Sequence, residues 1–489
     1  MVGMGVWAMS LGTAVHAAPP PPPPPHNPAP PTPPAPPTKP TPPTTPPAPP
    51  VKPTPPTTPA TPTTAQLAQL GKALFGDTTL SNPKGQSCIS CHSPQAGWAF
   101  PNSSINQQFG PVPGAVAGRF GNRKPPTISY ASHLMQGPPA LIPQIDAYAG
   151  GFFDDGRADS LAAQIPGPLE NPNEMNNTPA GVVSAVATGP SGAVFQQTFG
   201  VKITTLSTTE AFNDIVEAIV AFESSEGLSP FSSKYDQYLD HEATLTAQEL
   251  AGLQLFTGST TGRPGGPPAA KNATCASCHA VQPTSGEAPD LFTASTFHNT
   301  GIPRNPNNPY YAQTSATADP LGYNALGAAY IDYGLGDFLY AQADLPDGNV
   351  GKGSNGEGDY LKINGAFKTP TLRNVDARPN PTFVKCYGHN GFFKSLPQIV
   401  HFYNTRNLTS VPGEVIDFTK ANPTAGLKGK PLWPAPENPW ASSLVNPSGK
   451  LGQIGNLGLT PTDEANLVAF LRTLTDAPPG PPPPPPPAP

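Results

Sequence analysis

Two pentapeptides of one pattern, Cys88-Ile89-Ser90-Cys91-His92 and Cys275-Ala276-Ser277-Cys278-His279, use four of the chain's five cysteines. At this spacing two thiols can add across the vinyl groups of a porphyrin while the adjoining imidazole ligates its iron, so each segment reads as the attachment site of a c-type haem. A Cys-x-x-Cys redox pair does not require the histidine. A Cys2His2 zinc site would need a second His pair at short spacing, which neither segment has. Two covalent haems are therefore expected, attached through Cys88, Cys91, Cys275 and Cys278, with His92 and His279 as proximal iron ligands.

Helix signals gather around both motifs. Leu67, Leu70 and Leu74 share one face of a helix expected over 65–75, just ahead of the first motif. Ile215, Ile219 and Phe222 are in register on a second, over 210–222. Thr246 and Glu249 form a capping-box pattern that opens a helix over 250–256, just ahead of the second motif. Near the C-terminus, Thr460 as N-cap and Pro461 at the first position start a helix that carries Leu467, Phe470, Leu471 and Leu474. Helix, haem motif, long loops and closing helix thus occur twice, and strand-like alternation is scarce. The expected fold is all-α, with two tandem cytochrome-c-like domains over 65–244 and 245–477.

Attachment of c-type haem takes place outside the cytoplasm, which predicts an exported, periplasmic protein. Residues 1–18 offer a signal peptide, with a short apolar run from Val6 to Val15 and a small-residue cleavage site at Val15-His16-Ala17, although its n-region has no Lys or Arg. No later stretch is long and apolar enough to span a bilayer. Residues 19–64 are almost entirely Pro, Thr, Ala and Lys, and 478–489 is a second polyproline run. Such composition cannot bury a core and reads as disordered, extended spacer. The net charge of -6 is mild and points to neither nucleic acid nor an anionic membrane.

What a haem protein does depends largely on the iron face opposite the proximal histidine: a filled position suits electron transfer and a vacant one suits chemistry. The five methionines lie at 1, 4, 9, 135 and 175, so none follows the second motif and a local His/Met pair is excluded there. Candidate ligands for the second haem lie in Thr369-Pro-Thr-Leu-Arg-Asn374 and in the stretch from Cys386 to Asn404, where Cys386, Tyr387, His389, His401 and Tyr403 compete.

From about Leu67 to Thr475 the chain resembles the bacterial dihaem cytochrome c peroxidase and MauG family, through several separate motifs in the family's order. The family's T-P-T-L-R-N segment, followed by Y-x-H-(D/N)-G and an amphipathic helix, is similar to residues 369–374, 387–391 and the stretch after them. The resemblance implies that the helix carries the distal ligand of the second haem at Tyr403, as in MauG-like members, where true peroxidases place Met. Residues 153–175 resemble the family's D-G-R-A…Q…P…P-x-E-M stretch on the peroxide-binding side of the first haem. Carried over, Gln164 hydrogen-bonds peroxide, Pro168 shapes the pocket and Glu174 shuttles the proton that heterolytic O–O cleavage requires. No histidine lies between Arg119 and Thr127, where the family's peroxidases place a removable distal ligand, although His133 is near. A permanently five-coordinate first haem is expected.

Two departures from the family pattern stand out. Asp154 occupies the position of the family's Trp between the haems, with Phe152, Phe153 and Trp98 as partial substitutes. Lys124 occupies the position of an Asn that binds an interdomain calcium in relatives, so calcium is expected only weakly and the lysine ammonium could fill the site itself. The function the resemblance implies is a periplasmic dihaem oxidoreductase. It would reduce hydrogen peroxide at haem 1 and oxidise an external reductant through haem 2. That reductant would be a small cytochrome, a copper protein or a protein side chain. A non-catalytic dihaem electron carrier and a dihaem oxygenase are the alternatives.

Overall fold

The computed structural model describes residues 61–282, 289–313, 324–341, 363–408, 432–438 and 454–477. The expected signal peptide, nearly all of the N-terminal proline-rich segment and the C-terminal proline run lie outside the described residues.

Helix α1 (Thr64–Phe75) begins under a capping box, in which the Gln66 amide donates to the Thr63 hydroxyl and the Gln66 side chain accepts from the Thr63 amide. Its buried face carries Leu67, Leu70 and Leu74, the positions anticipated from apolar spacing, together with Gly71 and Phe75. The first haem motif forms the short helix α2 (Cys88–Cys91). Short helices α3 (Ser103–Gln108), α4 (Leu161–Gln164) and α5 (Pro166–Glu170) punctuate the long loop that follows. Longer helices α6 (Pro179–Thr188), α7 (Gly192–Phe199) and α8 (Thr208–Glu223) close the first core. α9 (Lys234–Leu239) leads into α10 (Ala247–Thr257), which opens on the expected Thr246–Glu249 capping box. The remaining described helices are α11 (Leu335–Ala341), α12 (Leu396–Thr405) and α13 (Pro461–Arg472), the last capped by Thr460 as expected.

The dominant contacts are two helix crossings built alike. α1 lies against α8 and α10 against α13, each at a glycine. A β-carbon on Gly71 would stand 1.9 Å from the Ala218 carbonyl oxygen, and one on Gly252 would stand 2.0 Å from that of Asn466. Beside each crossing sits a trio of aromatic rings. Phe75, Trp98 and Phe222 have centroid separations of 6.0, 5.2 and 6.1 Å, and Phe256, Phe292 and Phe470 repeat the same three distances. Tilted and edge-on ring pairs of this kind are each worth about 0.5–1.5 kcal/mol beyond the area they bury. Two large apolar cores follow from these crossings, one running from Leu67 to Ile219 and one from Tyr235 to Leu474. Tyr235 of α9 therefore packs with the second core.

The fold is helix-rich with a few short strands, which amends the all-α expectation. β1 (Ala140–Ile142) pairs antiparallel with β2 (Ala147–Ala149), Ala140 opposite Ala149. β3 (Phe297–His298) pairs antiparallel with β4 (Phe367–Lys368), Phe297 opposite Lys368. An isolated bridge from Ala149 to Thr296 joins the two ribbons. Long loops from distant parts of the chain meet here, and pairing satisfies backbone groups that would otherwise be buried unbonded. The chain's last described turn is pinned in the same manner. Asp476 accepts from the Tyr130 hydroxyl at 2.8 Å, the Asn374 side chain at 2.7 Å and the Ser232 amide at 3.2 Å.

Because the glycine at each crossing meets backbone rather than a movable side chain, Gly252→Ala must push α10 off α13. The expected cost is about 1–3 kcal/mol, read as a lower denaturant midpoint at an unchanged slope. An unshifted midpoint would contradict the crossing geometry.

Candidate functional site

Both motif histidines are oriented by backbone. His92 Nδ1 lies 3.2 Å from the Trp98 carbonyl oxygen and His279 Nδ1 lies 2.9 Å from that of Phe292. Trp98 and Phe292 adopt left-handed backbone, at φ 57° and 53°. Each is locked by a Pro-Thr pair. Thr127 Oγ1 donates to the Gly97 carbonyl at 2.7 Å, and Thr371 Oγ1 donates to the Leu291 carbonyl at 2.6 Å. A carbonyl at Nδ1 selects the tautomer with its proton there and leaves Nε2 as the free nitrogen for a metal. Burial lowers His92 and His279 to about 4 each, outweighing the opposing pull of those carbonyls, so both rings stay neutral and ligand-competent.

The four motif thiols are free of disulfides. Burial pushes Cys88 and Cys275 up to about 12, Cys278 up to about 11, and Cys91 higher still. Thiols raised in this way lack the thiolate character of a reactive redox pair. Free, half-buried thiols beside a neutral imidazole with an open Nε2 fit a covalently attached haem.

Cys275, Cys278 and His279 line a cavity of about 270 Å3, whose wall also carries Tyr403 of α12. Burial pushes the Tyr403 phenol up to about 12; a hydrogen bond with the Thr300 side chain opposes this, and the charges of Cys278 and Cys275 add to it. Of the competing side chains Cys386, Tyr387 and His389 line the same cavity, and each competitor has a hydrogen-bond partner, although His389 Nδ1 and His401 Nε2 are buried with none among the described residues. His389 Nε2 pairs with Glu437 at 2.9 Å, His401 Nδ1 with Glu464 at 3.0 Å, Cys386 Sγ with Asn106, and the Tyr387 hydroxyl with the Val375 carbonyl and Asp376. His298, which sequence reasoning passed over, also lines the cavity; burial lowers it to about 4 and the charge of His279 adds to that.

The residues expected on the peroxide side of the first motif lie on successive elements, and the Met175 amide donates to the Pro168 carbonyl at 3.1 Å. Gln164 ends α4, Pro168 lies in α5, and the turn after α5 carries Glu174. Burial raises the Glu174 carboxyl, against the Arg157 charge and a 2.7 Å hydrogen bond from Asn171 to Oε1. Its charge acts on Cys91, which places the carboxyl beside the first motif. His133, by contrast, is exposed and packs edge-on against Phe231.

Between the two sites runs an ionic seam. Arg123 binds Asp155 and Asp332 at 2.7 Å each, joining positions 209 apart in the chain, and Asp155 also binds Arg157. Both carboxyls are buried, yet Arg123 holds each below its ordinary range. Asp154, at the position of the family's Trp, lines the cavity of the second motif, and its carbonyl accepts from the Lys368 amide at 2.8 Å. Lys368 Nζ donates to the Gly151 carbonyl at 2.7 Å, and burial lowers it to about 8 against the attraction of Asp154 and Asp155. Lys124 and Lys368 head the matching segments Lys124-Pro-Pro-Thr127 and Lys368-Thr-Pro-Thr371, and both line the cavity. Trp98 lies on the His92 side of the first motif and not in this seam.

Two half-buried Cys-x-x-Cys-His sites, each with its imidazole Nδ1 tied to backbone, define a dihaem redox protein with unlike surroundings at its two centres. The family described as di-haem cytochrome c peroxidase matches residues 65–244. The chain is 31% identical over 416 residues to the methylamine utilization protein MauG of Paracoccus denitrificans (strain Pd 1222), covering 83% of this chain and 88% of that protein. It is 26% identical to the cytochrome-c peroxidase IdrP2 of Denitromonas iodatirespirans, over 68% of this chain and 72% of the relative. The crystal structure of the diheme peroxidase BthA from Burkholderia thailandensis E264 matches with a TM-score of 0.61 at 30% identity, over 84% of this chain and 86% of that one. The chain belongs to the di-haem cytochrome c peroxidase and MauG family of oxidoreductases.

Removing one carboxylate from the seam leaves the Arg123 guanidinium buried and half-paired. Asp332→Ala is expected to cost about 3–5 kcal/mol of stability at neutral pH. Because Asp155 and Asp332 are held below the ordinary carboxylate range, the seam's contribution is present above that range and is lost as pH falls through the lowered values. Unfolding monitored against pH should show the wild type approaching the variant on acidification.

Proposed function

We propose that this protein is a periplasmic dihaem oxidoreductase that reduces hydrogen peroxide at the haem attached to Cys88 and Cys91. Electrons would come from an external reductant through the haem attached to Cys275 and Cys278. His92 and His279 would hold the two irons and Tyr403 would be a further ligand of the second, the two haem-binding parts being 65–244 and 245–477. When bound, the haems supply iron centres that accept and pass on electrons. The observation that carries the reading is the unlike company the motifs keep: a partly buried carboxyl beside the first and a phenol in the cavity of the second.

Peroxide reduction needs a group that takes a proton from the inner oxygen and returns it to the leaving one. Asn171 holds Glu174 Oε1 at 2.7 Å, which orients the carboxyl and leaves Oε2 to carry the proton. Burial raises its pKa, so it surrenders and recovers that proton more readily near neutrality than an exposed glutamate would. Gln164 orients the peroxide by hydrogen bonding and Pro168 limits the pocket. At the second centre a phenolate oxygen, a hard anionic donor, favours the oxidised iron and lowers its potential. This suits withdrawal of electrons from a demanding donor such as a protein side chain, with a small cytochrome or copper protein as the other donor class. Lys124 supplies positive charge where relatives bind calcium, so the junction holds without that ion. The proline-rich ends act as spacers.

Glu174→Gln is expected to slow reaction with hydrogen peroxide by about 100-fold in stopped-flow absorbance while two haems per chain persist in a pyridine haemochrome assay. An unchanged rate would remove Glu174 from the chemistry. Tyr403→Phe is expected to raise the midpoint potential of the second haem and leave the first haem's spectrum as it was; no change at the second haem would rule out the phenol as its ligand.

A further inference from the structure

The duplicated helix crossing provides a register between the two parts of the chain. Gly71 and Ala218 correspond to Gly252 and Asn466, because each glycine meets the backbone carbonyl of its counterpart. Phe75, Trp98 and Phe222 correspond to Phe256, Phe292 and Phe470 through identical ring separations. One residue beyond Phe470 is Leu471, which is buried and lines the cavity of the second motif. One residue beyond Phe222 is Glu223. Where the second part of the chain has an isobutyl group on the wall of its cavity, the corresponding position of the first has a carboxyl whose charge reaches Cys88.

That carboxyl is unusual in its own right. Glu223 is 5% exposed, and its Oε2 has no hydrogen-bond partner. Buried polar atoms in native proteins nearly always find a partner, so an orphan in this position calls for a functional account. Phe75, Ile128, Phe222 and Leu228 cluster beside it together with Trp98 and Cys88, and none of them brings a charge. Ser229, just beyond Leu228, is likewise buried with an unpartnered hydroxyl. The titratable group that senses Glu223 is Cys88, whose thiol is consumed when the haem is attached. Among the described residues no cation balances the carboxyl and no base shares its proton.

We propose that Glu223 is the redox-linked proton site of the first haem: its carboxyl releases a proton to solvent when that haem gives up an electron, and takes one back when the haem is reduced. The electron passes to the oxidant, which is peroxide in the reaction proposed above and a mediator dye in a titration. A carboxylate at the haem edge favours the more positive iron state by direct attraction in a low-dielectric site, and the neutral acid does not. Burial alone pushes Glu223 up to about 8, so the change of charge falls in the neutral to mildly alkaline range. Leu471 cannot titrate, so the second haem lacks this device and acts as an internal control. The inference rests on the reading that the first motif carries a haem.

The test is a spectroelectrochemical titration of the full haem-loaded protein over a pH range that brackets 8, on wild type, Glu223→Gln and Glu223→Leu. The leucine variant copies the residue the second part already uses. Two haems per chain in the haemochrome assay establishes the reading beneath the proposal, and fewer than two would defeat that reading instead. With both haems present, the wild-type midpoint potential of the first haem should fall as pH rises through this range, while in both variants it should be flat there. The second haem, identified by its response to Tyr403→Phe, should be alike in all three proteins. A flat wild-type potential at the first haem overturns the proposal even if neither variant can be purified. So does a pH dependence that survives in both variants.

Discussion

The rest of the site depends on a hydrogen bond between an imidazole and a backbone carbonyl, made once at His92 and again at His279. A histidine that must present one nitrogen to a metal needs its other nitrogen spoken for, and a carbonyl does this without adding charge to a dry interior. The carbonyls are in place because Trp98 and Phe292 accept a left-handed backbone that costs a non-glycine residue about 1 kcal/mol or more. Their rings offset that cost by completing the aromatic trios at the helix crossings. One residue thus couples core packing to ligand orientation in each part of the chain.

Around this duplicated frame the two sites diverge. The first faces a carboxyl held by Asn171, and the second shares its cavity with a phenol on α12. The ground between them is ionic. Arg123, Asp155, Asp332, Asp154, Lys124 and Lys368 occupy a region where the family pattern has an aromatic ring and a metal ion. Buried ion pairs seldom add much net stability, but their geometry is exacting, and losing one partner is far costlier than never having had the pair. A seam of this kind fixes how the two sites face each other more than it strengthens the fold.

Much of the frame was legible in the sequence because it rests on local rules. The capping residues Thr246 and Thr460 and the apolar spacing of Leu67, Leu70 and Leu74 located three of the four crossing helices' starts or faces, and the register of Ile215, Ile219 and Phe222 located the fourth. The haem motifs announce themselves by spacing. The carbonyl partners do not, since Trp98 lies six residues beyond its histidine and Phe292 thirteen beyond. The Arg123–Asp332 pair spans 209 positions, which no local pattern can reveal. Tyr403 was reached through family resemblance, because Cys386, Tyr387 and His389 line the same cavity and spacing alone does not separate them from it. Glu223 was invisible for another reason. It sits on a helix face that reads as ordinary amphipathic sequence, and only the matching position Leu471 shows that a carboxyl is out of place there.

Asp476 is the last acceptor in the described chain, and it gathers donors contributed by Tyr130, Ser232 and Asn374. One side chain thereby ties together stretches that lie 102, 244 and 346 positions away from it. Taking the carboxylate away would leave a side-chain amide, a backbone N–H and a phenol at once without the acceptor they share.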